Sequence, residues 1–137
     1  MIKEAFCSKE VSKLLKEKGF NELVHHEYHY IIDIPQFHKK KHNFNGIEYR
    51  NCSSEWYSAP THQMAMAWLR KTHKLFIEIH IEQGEKVSYK FMIWDFYVIH
   101  PNKYVGGTYD LREEQKGFST PEQAIETALK YSLENLI

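Results

Sequence analysis

A chain of 137 residues has the length to bury a core within one domain, and residues 1–137 read as a single domain. Lys plus Arg and Asp plus Glu balance at 18 each, which excludes a strong net field for drawing in nucleic acid or an anionic membrane. Two cysteines, Cys7 and Cys52, make no disulfide framework, and without a signal peptide or long apolar run the expectation is a cytoplasmic protein with reduced thiols and no membrane association.

Residues 8–18 (SKEVSKLLKEK) predict an amphipathic helix. Ser8 caps it, Val11, Leu14 and Leu15 form its stripe, and Gly19 stops it while Phe20 makes the accompanying apolar contact. Residues 22–34 predict a strand that Pro35 ends. One face carries Val24, His26, Tyr28, Tyr30 and Ile32, and the other carries His25, Glu27, His29, Ile31 and Asp33. A polar loop follows, with Asn45-Gly46 as a hairpin-turn signal, and residues 47–57 hold a weak short strand.

The chain is organised around the stretch from Ala59 to Glu82. Pro60 fits the first turn of a helix, preceded by Ser58 or Ala59, with Ser58 the better cap. Met64, Ala65, Trp68 and Leu69 form one stripe, and Arg70, Lys71 and Lys74 place cations at the negative end of the helix dipole. The period then changes. Leu75, Ile77, Ile79 and Ile81 alternate with Phe76, Glu78, His80 and Glu82, the pattern of a half-buried strand. After a turn at 83–85, residues 86–99 (KVSYKFMIWDFYVI) are the most strand-like stretch, apolar on both faces towards the end and therefore expected in the middle of a sheet. Residues 100–117 read as loop, with a short edge strand near 104–109. Thr120, Pro121 and Gln123 start a last helix as cap, N1 proline and capping-box partner, and Ile125, Ala128, Leu129, Ser132, Leu133 and Leu136 keep helical spacing.

Five features carry candidate chemistry. His25, Glu27 and His29 fall on one strand face with neighbours ~7 Å apart, so that two could share a zinc ion and a third ligand must come from elsewhere. The alternative is the polar face of a half-exposed strand. His62 and His73 share a helix face but lie about 16 Å apart along it, too far to chelate one ion, and read as solvated positions. Lys39, Lys40 and Lys41, between His38 and His42 and flanked by Phe37 and Phe44, make a basic loop that can meet phosphates and stacked bases, or is simply a solvated tip. Asp95, between Trp94 and Phe96, is either a carboxylate with a raised pKa or the solvent-facing end of its strand. Cys7 and Cys52 have no nucleophile motif around them, and no glycine-rich phosphate loop is present.

Three stretches together resemble a known group: SKEVSKLLKEKGF at 8–20, APTHQMAMAWLRKTHKLFIEIHI at 59–81 and STPEQAIETALKYSLENLI at 119–137. They look like small uncharacterised proteins of Bacteroides-type bacteria, their phages and mobile elements. The resemblance implies a cytosolic accessory protein and brings no activity or catalytic residues. Residues 60–137 also have an α-β-β-β-α order similar to a double-stranded-RNA-binding domain. Those domains hold phosphates with lysines at the start of their last helix, where this chain has Pro121, Glu122 and Ile125. The resemblance extends to the order of elements and not to the contact residues.

The elements run α-β-(β)-α-β-β-(β)-α and predict an α+β domain: one mainly antiparallel sheet with about three helices, packed chiefly on one face. The function expected is non-enzymatic, an accessory protein that binds a protein partner or a second copy of itself through exposed aromatic strand surface. The second reading is nucleic-acid binding through Lys39, Lys40 and Lys41 with Arg70, Lys71 and Lys74. The third is a metal-dependent enzyme at His25, Glu27 and His29, with zinc as the cofactor; the other readings need none.

Overall fold

The first helix, α1 (Lys9–Glu17), starts and stops as its sequence dictates. Ser8 Oγ accepts from the Val11 N–H at 3.2 Å. Gly19, at φ +91°, lets Phe20 N–H donate to Leu15 O and Gly19 N–H to Lys16 O, the two bonds of a Schellman stop. Phe20 is thereby folded into the core at 1% exposure.

The computed structural model describes residues 3–31, 34–37, 56–97 and 108–137. After α1 come β1 (His26–His29), β2 (Gln36–Phe37), β3 (Trp56–Ser58), α2 (His62–His73), β4 (Leu75–Glu82), β5 (Ser88–Tyr97), β6 (Thr108–Phe118) and α3 (Pro121–Asn135). The class is α+β, with three helices among the described residues. None of them is long and apolar enough to cross a membrane.

The strands form two antiparallel sheets and not one, in the orders β2-β1-β3 and β4-β5-β6. The strand expected over 22–34 is four residues long, and both its edges are occupied, by β2 and by β3. β4, β5 and β6 instead pair as sequential neighbours in a second, open sheet that does not include β1. The α-β-β-β-α order expected over 60–137 is present as α2-β4-β5-β6-α3.

Two boundaries are corrected. The cap of α2 is Thr61, whose Oγ1 accepts from Met64 N–H at 3.2 Å; Pro60 lies before the cap and Ser58 closes β3. The chain over 108–118, expected mainly as loop, is an eleven-residue strand. Its sequence TYDLREEQKGF is poor in β-formers, but pairing along β5 outweighs local preference. Two bulges fit it to β5; Gly117, at φ +85°, supplies the left-handed turn of one and Arg112 is the extra residue of the other.

α2 and α3 pack on one face of the β4–β6 sheet, and α1 packs against α3 and β3. Between them lie Val11, Leu15, Phe20, Ala65, Trp68, Leu69, Leu75, Phe91, Ile93, Ala128, Leu129 and Leu133. Trp68 is 6% exposed and meets the Phe20 ring edge-on at 5.6 Å. α2 turns directly into β4 through Lys74, which takes a left-handed φ of 58° at the helix end.

Candidate functional site

With the helices on the inner face, period two sends the other side chains of β4, β5 and β6 outward. Phe76 stands opposite Trp94 and Trp94 opposite Leu111; Phe96 stands opposite Tyr109. The aromatic rings meet along the diagonals of this lattice. Phe76 and Phe96 are 5.9 Å apart at 66°, and Trp94 and Tyr109 are 5.2 Å apart at 83°, both edge-to-face. Phe76, Tyr109 and Leu111 are 39%, 62% and 44% exposed. Together with Ile77 and Glu78 the four aromatic residues line an open cleft of about 490 Å³.

Glu78 is the charged residue in that lining. Its Oε2 accepts from the Trp94 Nε1–H at 2.8 Å and lies 3.3 Å from His80 Nε2. The Trp94 bond first, and His80 second, hold its carboxyl below the usual carboxylate range. The face turns from aromatic to charged along its length: Lys90 bridges Glu114 at 3.0 Å and Glu82 at 3.5 Å, with Lys116 beside them. Asp95, on the same strand, is a paired charge that takes the Arg112 guanidinium at 2.7 Å.

A second cluster fixes the N-terminal segment. Phe6 bridges Thr61, Cys7 N–H donates to Pro60 O, and His62 N–H donates to Ala5 O. Glu126, on α3, accepts from Ser8 N–H at 2.9 Å and pairs with His62 Nε2 at 2.8 Å. Burial works against the charge of Glu126, but the His62 and Ser8 hydrogen bonds outweigh it and its pKa lies below the ordinary value. His62 is thus a buried residue, 6% exposed, and not the solvated position expected from the sequence. His73 is half-buried, its ring 4.9 Å from Trp68. Cys7 is fully buried; desolvation, with the nearby Glu126 carboxylate, pushes its thiol well above the ordinary range, so it stays protonated. A protonated, inaccessible thiol is a poor nucleophile.

The residues of the metal reading are dispersed in exposure. His25 is exposed in the bend before β1, Glu27 is buried at 4%, and His29 is half-buried with its ring 4.8 Å from that of Trp56. Among the described residues no group of three His, Cys, Asp or Glu side chains is placed to hold a metal ion. Of the basic reading, Arg70, Lys71 and Lys74 are exposed at the end of α2, and Lys39, Lys40, Lys41 and Cys52 lie outside the described residues.

Neither protein-family models, nor curated proteins, nor solved structures give a match to this chain. The cleft therefore rests on its own geometry. Its signal was present in part in the sequence: Phe76 interrupts the polar face of β4, and Trp94 and Phe96 make the second apolar face of β5. Tyr109 stands at the end of the short edge strand expected near 104–109, where nothing in the sequence sets its register, and Leu111 falls in the stretch that reads as loop.

Proposed function

We propose that this chain is a small, non-enzymatic cytoplasmic accessory protein that binds a protein partner through the outer face of the β4–β6 sheet. The observation that carries the reading is the aromatic cluster of Phe76, Trp94, Phe96 and Tyr109, held in fixed geometry on the face opposite the helices. Tyr and Trp bury large rigid area at small entropic cost, which is why they anchor protein interfaces. Among the described residues, His62 and Glu126 are engaged in holding the N-terminal segment, and Cys7 is a buried thiol.

A photo-crosslinking amino acid placed at Tyr109, with a control at the exposed Lys13 of α1, tests this in the cell. A discrete adduct from Tyr109 and none from Lys13 is the expected result, and an adduct of twice the chain mass identifies a second copy as the partner. No adduct from Tyr109, or the same adducts from both positions, overturns the reading.

A further inference from the structure

The aromatic cleft has a chemistry more specific than apolar surface. Aromatic faces carry negative quadrupole potential and attract cations, most strongly when the ring is Trp and the site excludes water. In this cleft the rings are set at 66° and 83° to one another, so their faces do not stack shut against each other. The charged group in the lining is an anion. Glu78 is fixed through Oε2 by Trp94, while Oε1 has no hydrogen-bond partner among the described residues. Arg112, the cation on the neighbouring bulge, is turned onto Asp95. Along the rest of the face Glu82 and Glu114 stand against Lys90 and Lys116.

We propose that the cleft receives an arginine side chain of the partner, its guanidinium stacked on the aromatic rings and donating to Glu78 Oε1. This rests on the reading above that the face binds a protein. Arginine fits better than lysine for two physical reasons. Its planar guanidinium can stack and still donate in its plane, and it sheds water more readily than a compact ammonium. The charged end of the face balances Glu82 and Glu114 against Lys90 and Lys116, so the selection for arginine rests on Glu78 and the rings of the cleft.

The test uses the full chain, ¹⁵N-labelled, titrated with a capped Gly-Arg-Gly peptide and with its citrulline counterpart, which has the same shape and no charge. The expected result is shifts concentrated at the Trp94 indole N–H and at Phe76, Phe96 and Tyr109, with the arginine peptide binding about tenfold more tightly than citrulline, the gain of a cation–π contact together with an exposed ion pair. Glu78→Gln, at a half-exposed side chain that leaves the core untouched, should cut the preference to about two- to fivefold, the share that the cation–π contact supplies without the ion pair. Equal affinity of arginine and citrulline peptides in the wild-type chain overturns the arginine assignment, as does an unchanged preference in Glu78→Gln or an absence of any shift at Trp94. Adducts at Tyr109 in the crosslinking experiment would persist in those cases, so the failure of this assignment is distinguishable from the failure of the protein-binding reading.

Discussion

Glu27 makes stability depend on pH in a direction opposite to that of most carboxylates. It lies at 4% exposure in the middle strand of the small sheet, opposite Gln36 on one side and Ser58 on the other. Burial raises its pKa from 4.5 to about 7, against the partial pull of Lys16. A carboxyl raised on folding is favoured by the native state only while protonated. Its stabilising effect is therefore complete below pH 4.5 and is lost as pH rises through 7. With 1.36 kcal/mol for each pKa unit, the rise corresponds to about 3 kcal/mol between the acidic and the alkaline limits. Glu27→Gln keeps the shape and removes the titration. The assay is urea unfolding of both proteins between about pH 5 and pH 8, with the difference in stability plotted against pH so that groups common to both cancel. The variant should gain on the wild type by roughly 2 kcal/mol over that window, the part of the full effect that falls inside it. A difference that stays flat within about 0.5 kcal/mol would refute the buried, protonated Glu27.

Trp68→Ala should cost ~3–5 kcal/mol in denaturant unfolding, the range for a large aromatic lost from a core, and a loss under about 1 kcal/mol would mean the α2 stripe does not face the sheet. Glu126→Gln and His62→Ala should each cost about 1–3 kcal/mol, with a double-mutant coupling above about 0.5 kcal/mol, because each change strands a buried partner. The pH sign at Glu126 is the reverse of that at Glu27: its lowered pKa gives stability that is present above the ordinary carboxyl range and is lost as pH falls through the folded value, which acid titration of the Glu126→Gln variant checks. A single-stranded oligonucleotide should bind no tighter than ~0.1 mM at physiological salt. Sub-micromolar, salt-sensitive binding that disappears in a Lys39→Gln, Lys40→Gln, Lys41→Gln variant would transfer the function to nucleic acid.

The sequence by itself determined the local parts. Capping and stop signals are chemistry within a few residues, so Ser8, Gly19 and Thr120 marked helix ends that the structure bears out. Even the capping-box glutamine is in use, with Gln123 Oε1 accepting from Ser119 N–H, one residue before the cap. The stripe of α2 and the alternation of β4 placed Ala65, Trp68, Leu69 and Leu75 in the core, because period alone decides which side of an element is apolar. Where several punctuating residues fall within one turn, as Ser58, Pro60 and Thr61 do, local chemistry does not choose among them.

Only the tertiary structure decided which elements share a sheet, that residues 108–118 form a strand, and that His62 is buried against Glu126. Strand pairing joins residues distant in sequence, and its energy outweighs weak local propensities, so a charged run becomes a strand once β5 offers it a ladder. Burial of a polar side chain likewise depends on its partner: His62 is exposed or buried according to whether a carboxylate 64 residues later is there to meet it. The aromatic cleft has the same origin. Phe76, Trp94 and Tyr109 each sit on the side of a strand that period two assigns to solvent, and it is the register of three strands that makes them neighbours.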